Sequence, residues 1–256
     1  MIIDTHAHLD DKQFAEDLPE LLLEFEKNNI GMVINSGASF RGVLDTIALM
    51  DKYPLIYGSV GIHPDNTDGL DEERFLELKE YCNHEKCVGV GEIGLDYHYD
   101  DTDKPTQKKW FIRQLELADQ IKKPVIIHSR DAAKDTMDIL HDMHAEKIGG
   151  VMHCYSYSLE IAKELLNMNF HFGIGGVVTF KNAKKLKEVV EYIPLESILL
   201  ETDSPYLAPE PNRGRRNSPL YLTYIIDEIA KIKGISAKEV EAQTEKNVRR
   251  LYFNEI

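Results

Sequence analysis

Ile2-Ile3-Asp4-Thr5-His6-Ala7-His8 opens the chain and decides between two folds. Its short apolar start reads as a strand over Ile2–His6. An open, doubly wound nucleotide-binding sheet would place GxGxxG after that first strand, whereas this chain has His6-Ala7-His8 there. Outward from this point, short apolar runs alternate with longer amphipathic segments. Further strands are expected at Met32–Ser36, Tyr57–Gly61, Val88–Glu92, Val125–His128, Val151–His153, His171–Gly175 and Ile198–Glu201. Helices are expected near 17–28, 40–52, 71–83, 106–121, 131–146, 158–168 and 182–192, then near 218–233 and 236–252, with Ser236 and Glu239 forming a capping box. Strand–helix alternation implies a parallel sheet with right-handed crossovers, and eight such units favour a closed (β/α)8 TIM barrel.

The bulk properties agree. A chain of 256 residues suits a single barrel domain over 1–256, and 43% hydrophobic residues is enough for a full core. The formal net charge is −14, so general coating of nucleic acid is disfavoured, and any phosphate site must be local or draw positive charge from bound metal. The three cysteines (Cys82, Cys87 and Cys154) form no CxxC, which points to a reducing compartment without a disulfide frame or thiolate zinc site; Cys154 reads as a small core residue. No apolar run is long enough to span a membrane, and no basic segment leads into an apolar one at the start, so a cytoplasmic protein is expected.

Metal-ligand residue types recur at the C-terminal ends of the expected strands, the edge that carries active sites in such barrels. His6 and His8 lie two apart on an extended segment and face the same side. Glu92 closes the glycine-rich run Val88-Gly89-Val90-Gly91, where an unpartnered buried carboxylate would be costly. The glycines suit close backbone approach, and the carboxylate has two oxygens with which to bridge cations. His128 ends Pro124-Val125-Ile126-Ile127, His153 ends Gly149-Gly150-Val151-Met152, and Asp203 follows Ile198-Leu199-Leu200-Glu201-Thr202 just before a Ser-Pro-Tyr turn.

Four histidines and two carboxylates exceed what one zinc needs. They fit two divalent ions, with His6, His8, Glu92 and Asp203 on one, and Glu92, His128 and His153 on the other. The ions are expected about 3.5–4 Å apart. Water acidified towards a pKa of about 7 would attack phosphorus, with Asp203 and Glu92 as the catalytic carboxylates and Asp203 taking or relaying the proton. The mixed donors suit zinc, manganese, cobalt or iron, and magnesium where oxygens dominate.

These residues fall in spaced motifs: Ile3-Asp4-Thr5-His6-Ala7-His8-Leu9-Asp10, Gly61-Ile62-His63-Pro64, Gly91-Glu92-Ile93-Gly94-Leu95-Asp96-Tyr97, His128-Ser129-Arg130, His153-Cys154-Tyr155-Ser156, Glu201-Thr202-Asp203-Ser204-Pro205-Tyr206-Leu207, and Arg213-Gly214-Arg215-Arg216-Asn217-Ser218-Pro219. As an ordered set running the whole chain, they resemble the TatD family of metal-dependent deoxyribonucleases, within the wider metal-dependent hydrolase superfamily. The resemblance implies the barrel, metal ligation by His6, His8, Glu92, His128, His153 and Asp203, and hydrolysis of DNA phosphodiesters, often from the 3′ end.

His63, on the rim, is expected near the substrate or an extra metal, and further substrate contacts are expected from Arg130 and from Arg213, Arg215 and Arg216 in the long loop after the eighth strand. Phosphate sites are frequent in that region of the fold, and arginine forks suit phosphate. Asp96 and Tyr97 read as residues packing a rim loop. Lys181, Lys184, Lys185 and Lys187 read as a solvated helix face. The expected partner is DNA or another phosphodiester, with no membrane. Alternatives are hydrolysis of a small phosphoester, or of a C–N or lactone bond. Many superfamily members of the C–N and lactone kind bridge their ions with a carboxylated lysine, and Glu92 at the proposed bridging place favours phosphoester chemistry. A non-catalytic metal or nucleic-acid binder is the third reading, and it would need no proton acceptor beside the ligands.

Overall fold

The computed structural model describes residues 1–99 and 103–255. Eight strands lie in one sheet in the order β1 to β8: β1 (Ile2–Ala7), β2 (Ile30–Ser36), β3 (Ile56–Val60), β4 (Cys87–Asp96), β5 (Val125–Arg130), β6 (Gly150–Met152), β7 (Phe170–Ile174) and β8 (Ile198–Leu200). Helices α1 (Leu18–Lys27), α2 (Phe40–Lys52), α3 (Glu72–Tyr81), α4 (Lys104–Ile121), α5 (Ala133–Asp142), α6 (Leu159–Asn167) and α7 (Lys184–Tyr192) alternate with the strands, followed by α8 (Leu222–Lys233) and α9 (Ala237–Phe253). Strict strand–helix alternation with sequential strand order is the (β/α)8 barrel class that the sequence predicts.

The chain divides into two compact units. The first comprises residues 1–35, 154–167 and 171–256; the second comprises 36–153 and 168–170. In the first, β1 pairs parallel with β2, and β7 with β8. Its core is built from Phe25, Val33, Phe172, Ile198, Leu199, Leu222, Ile225 and Val240. The capping box of α9 is present: Glu239 N–H donates to Ser236 Oγ (3.2 Å), and Ser236 N–H donates to Glu239 Oε2 (2.9 Å).

In the second unit β3, β4, β5 and β6 pair in parallel. Every residue of β4 is buried, because a parallel strand is covered on both faces. Helix α4 begins with the Asp103 side chain accepting from Thr106 N–H and packs Trp110, Phe111 and Leu115 inward. Two glycines set how closely β4 meets its neighbour. A Cβ at Gly91 would stand 2.6 Å from Ile126 Cβ, and one at Gly94 (φ +142°) would stand 1.9 Å from the His128 carbonyl oxygen.

Three expectations need correction. The fourth strand does not end at Glu92; it runs on to Asp96, so Asp96 is a strand residue and not part of a loop. The helix expected over 131–146 is two pieces, α5 and a 3-10 turn Ala145–Lys147, broken where His144 takes a left-handed backbone (φ +51°). Cys154 is half-buried, with φ +45°, and is not a core residue.

Candidate metal centre

In the first unit, β1 and the segment after β8 bring His6, His8 and Asp203 together. Their placement starts from Asp4. Alternation along β1 puts Asp4, His6 and His8 on one side. Asp4 Oδ1 accepts from His6 N–H (3.2 Å) and Thr202 N–H (3.0 Å), and Thr202 Oγ1 donates to Asp4 Oδ2 (2.5 Å). Asp203 N–H donates to the His6 carbonyl (2.9 Å), and His8 N–H donates to the Ser204 carbonyl (2.7 Å). Asn217 Nδ2 ties the returning loop through the Thr202 and Tyr206 carbonyls, both at 2.7 Å. Burial raises Asp4 to about 7 against the opposing pull of its Thr202 and His6 hydrogen bonds.

The result is an arrangement that a cation explains. His6 Nε2 faces His8 Nε2 at 3.3 Å, and Asp203 Oδ1 lies 3.5 Å from His8 Nε2 and 4.0 Å from His6 Nε2. Two nitrogens bound at about 2.05 Å to a tetrahedral ion stand about 3.3 Å apart. The donor set and its spacing therefore fit a divalent ion.

In the second unit, Glu92 is buried in the middle of β4, with its N–H held by the Gly37 carbonyl (2.8 Å). Its Oε1 faces three imidazoles: His128 Nδ1 at 2.9 Å, His153 Nε2 at 3.8 Å and His63 Nε2 at 3.9 Å. His153 stands immediately after β6, its N–H bonded to the Ile127 carbonyl (2.9 Å). His128 Nε2 is bonded to Asp96 Oδ2 (2.9 Å), so the ring lies between two carboxylates. Burial pulls this imidazole down, but the Asp96 and Glu92 hydrogen bonds outweigh it and hold His128 at about 9. A histidine whose far nitrogen donates to a carboxylate is the usual outer support of a metal ligand. His63 Nδ1 accepts from Asp65 N–H (3.2 Å), and His63 forms with Glu92 and His128 a group whose potential ligand atoms lie within 4.8 Å of one another.

The remaining expected substrate residues are placed as follows. Arg216 is committed within the first unit: its guanidinium forks onto Asp17 (2.8 and 2.6 Å) and lies over the Phe14 ring. Arg213 lies over the Phe180 ring, 4.4 Å from its centroid, while Arg215 is exposed. In the second unit, Arg130 ends β5 exposed, over the Tyr99 ring. Lys187 is paired with Glu228 (2.5 Å).

Sequence reasoning missed four positioning groups. Asp96 sits four residues beyond Glu92 on a strand assumed to stop short, and a longer β4 would have exposed the relation. Asp4 belongs to the same alternation as His6 and His8. Glu201, buried, accepts Cys154 N–H at 2.7 Å, and Asn217 holds the long loop; neither carries a local signal.

Comparison with known proteins shows the family to which the chain belongs. A family model described as TatD related DNase matches residues 3–253. The chain is 41% identical over 252 residues to the uncharacterized metal-dependent hydrolase YabD of Bacillus subtilis, covering 98% of this chain and 99% of that protein. It is 34% identical to YcfH of Escherichia coli, also an uncharacterized metal-dependent hydrolase, over 98% of this chain and 95% of the relative. The crystal structure of YJJV, a TatD homolog from Escherichia coli K12, superposes with a TM-score of 0.93 at 28% identity, covering 98% of each chain. The chain belongs to the TatD family of metal-dependent hydrolases.

Proposed function

We propose that this protein hydrolyses phosphodiester bonds of DNA, removing nucleotides from the 3′ end, with two divalent ions. His6, His8 and Asp203 would hold one ion. Glu92, His128 and His153 would hold the other. The observation that supports this most is the single Glu92 oxygen facing three imidazoles within 4 Å. Zinc, manganese, cobalt, iron or magnesium are the candidate ions. When bound they supply Lewis acidity and an acidified water at neutral pH.

The chain's own groups divide the remaining work. Asp203 accepts the proton of the attacking water. Asp96 fixes the orientation of His128, and Asp4 fixes the β1 backbone beside Thr202. His63 contacts a substrate oxygen beside Glu92. Arg130, Arg213 and Arg215 supply cationic contacts to the DNA backbone, which an acidic chain must provide locally. Arg216 contributes by bracing the loop through Asp17. The reading of 1–256 as one domain rests on one family model spanning 3–253. A cytoplasmic location is part of the proposal, because three cysteines without a CxxC suit a reducing compartment.

The test is a metal-reconstituted panel of single-stranded DNA, duplex DNA, RNA, a nucleotide diester and a cyclic amide. The expected result is mononucleotide release from the 3′ end of single-stranded DNA, abolished in Glu92→Ala with an unchanged circular dichroism spectrum. Turnover of the cyclic amide alone, or full activity of Glu92→Ala, would overturn the reading.

A further inference from the structure

We propose that Tyr99, backed by Arg130, is a stacking platform for a nucleobase of the substrate beside the Glu92–His128–Asp96 cluster. This deepens the phosphodiesterase reading and rests on it.

Asp96 is the link. Its Oδ2 bonds His128 Nε2, and its Oδ1 accepts His98 N–H at 2.8 Å. One carboxylate therefore fixes both the candidate metal ligand and the start of the segment that carries Tyr99. The His98 side chain is anchored in turn, with Nδ1 2.9 Å from Asp131 Oδ2, and its ring meets Tyr99 edge-on at 4.7 Å and 85°. The Arg130 guanidinium, at the end of the strand that bears His128, stands over the Tyr99 ring 5.1 Å from its centroid.

Tyr99 nevertheless remains 50% exposed, a large ring held by neighbours but not buried by them. A packing role would bury it. An exposed cation–π contact contributes only about 0.5–1 kcal/mol, a weak reason to hold both side chains at the surface. An aromatic face with a guanidinium alongside is what single-strand binders use: bases stack on the ring while the cation meets the backbone. Tyr99 lies three residues past Asp96, at most about 11 Å along the chain. That reach serves the base of a nucleotide flanking the attacked phosphate.

Two labelled oligodeoxynucleotides test this: a single-stranded decamer, and the same decamer with reduced abasic nucleotides at its 3′ end. Binding to metal-loaded protein is read by fluorescence anisotropy with phosphorothioate linkages that slow cleavage, and hydrolysis is read separately. Wild type should bind the base-bearing strand about tenfold more tightly than the abasic one, within the range of one stacked base. Tyr99→Ala should erase that difference, raising KM about tenfold on the base-bearing strand with kcat little changed. Tyr99→Phe should retain it. Equal binding of both strands by wild type, or an unchanged preference in Tyr99→Ala, overturns the platform. Absent hydrolysis with the binding preference intact overturns the phosphodiesterase reading instead, so the two failures are separable.

Discussion

At the scale of single residues, His128 carries the sharpest consequence. Its imidazole is held at about 9, against an ordinary 6.5, because the Asp96 and Glu92 bonds outweigh burial. Without metal it is an imidazolium at pH 7, and its contribution to stability is complete below about 6.5 and lost as pH rises through 9. A cation must displace that proton. Ion uptake near pH 8 should therefore release close to one proton from His128, and affinity should rise with pH up to about 9. Calorimetry of metal binding in buffers of different ionisation enthalpy measures this. Asp96→Asn removes one of the two carboxylates, so it should release fewer protons at pH 8 and bind the ion about 10–100-fold more weakly. A binding enthalpy independent of buffer would show that the ring is neutral beforehand. Arg216 shows a limit of local pattern: its forked partner Asp17 lies nearly two hundred positions away in sequence.

At the scale of elements, most of the fold was legible because burial imposes periodicity. Helix α2 matches its expected span, and the Ser236–Glu239 box marks the start of α9. The fully buried strands read as short apolar runs, which is what parallel pairing with two covered faces demands. Legibility failed where polar residues continue a strand. Glu92 and Asp96 are buried by virtue of partners from β5, and apolar patterning alone could not anticipate that. The β4–β5 contact that brings those partners together depends on Gly94, whose Cβ would collide with backbone. Gly94→Ala should cost several kcal/mol, at the upper end of overpacking and backbone-strain effects, and should lower metal affinity as well. Chemical denaturation with a parallel metal titration reads both. Full stability together with unaltered metal binding would show that the strand spacing is not what sets Glu92 against His128.

At the scale of the whole molecule, strand order, charge and ligand chemistry point the same way. The C-terminal halves of parallel strands, and the residues just after them, supply the candidate ligands, as the fold class leads one to expect. Under the proposed function, a chain with net charge −14 would attract phosphate through bound cations and a few arginines rather than through a basic surface. The claim on which this rests is that the chain holds two divalent ions and needs both. The most direct measurement is the number of ions bound per chain at half-maximal and full activity, by titrating metal-free protein with manganese or zinc and following hydrolysis of a single-stranded oligonucleotide in the same samples. Two ions per chain at full activity, falling to one or none with loss of hydrolysis in Glu92→Ala, is the predicted result. Full activity at one ion per chain would contradict it.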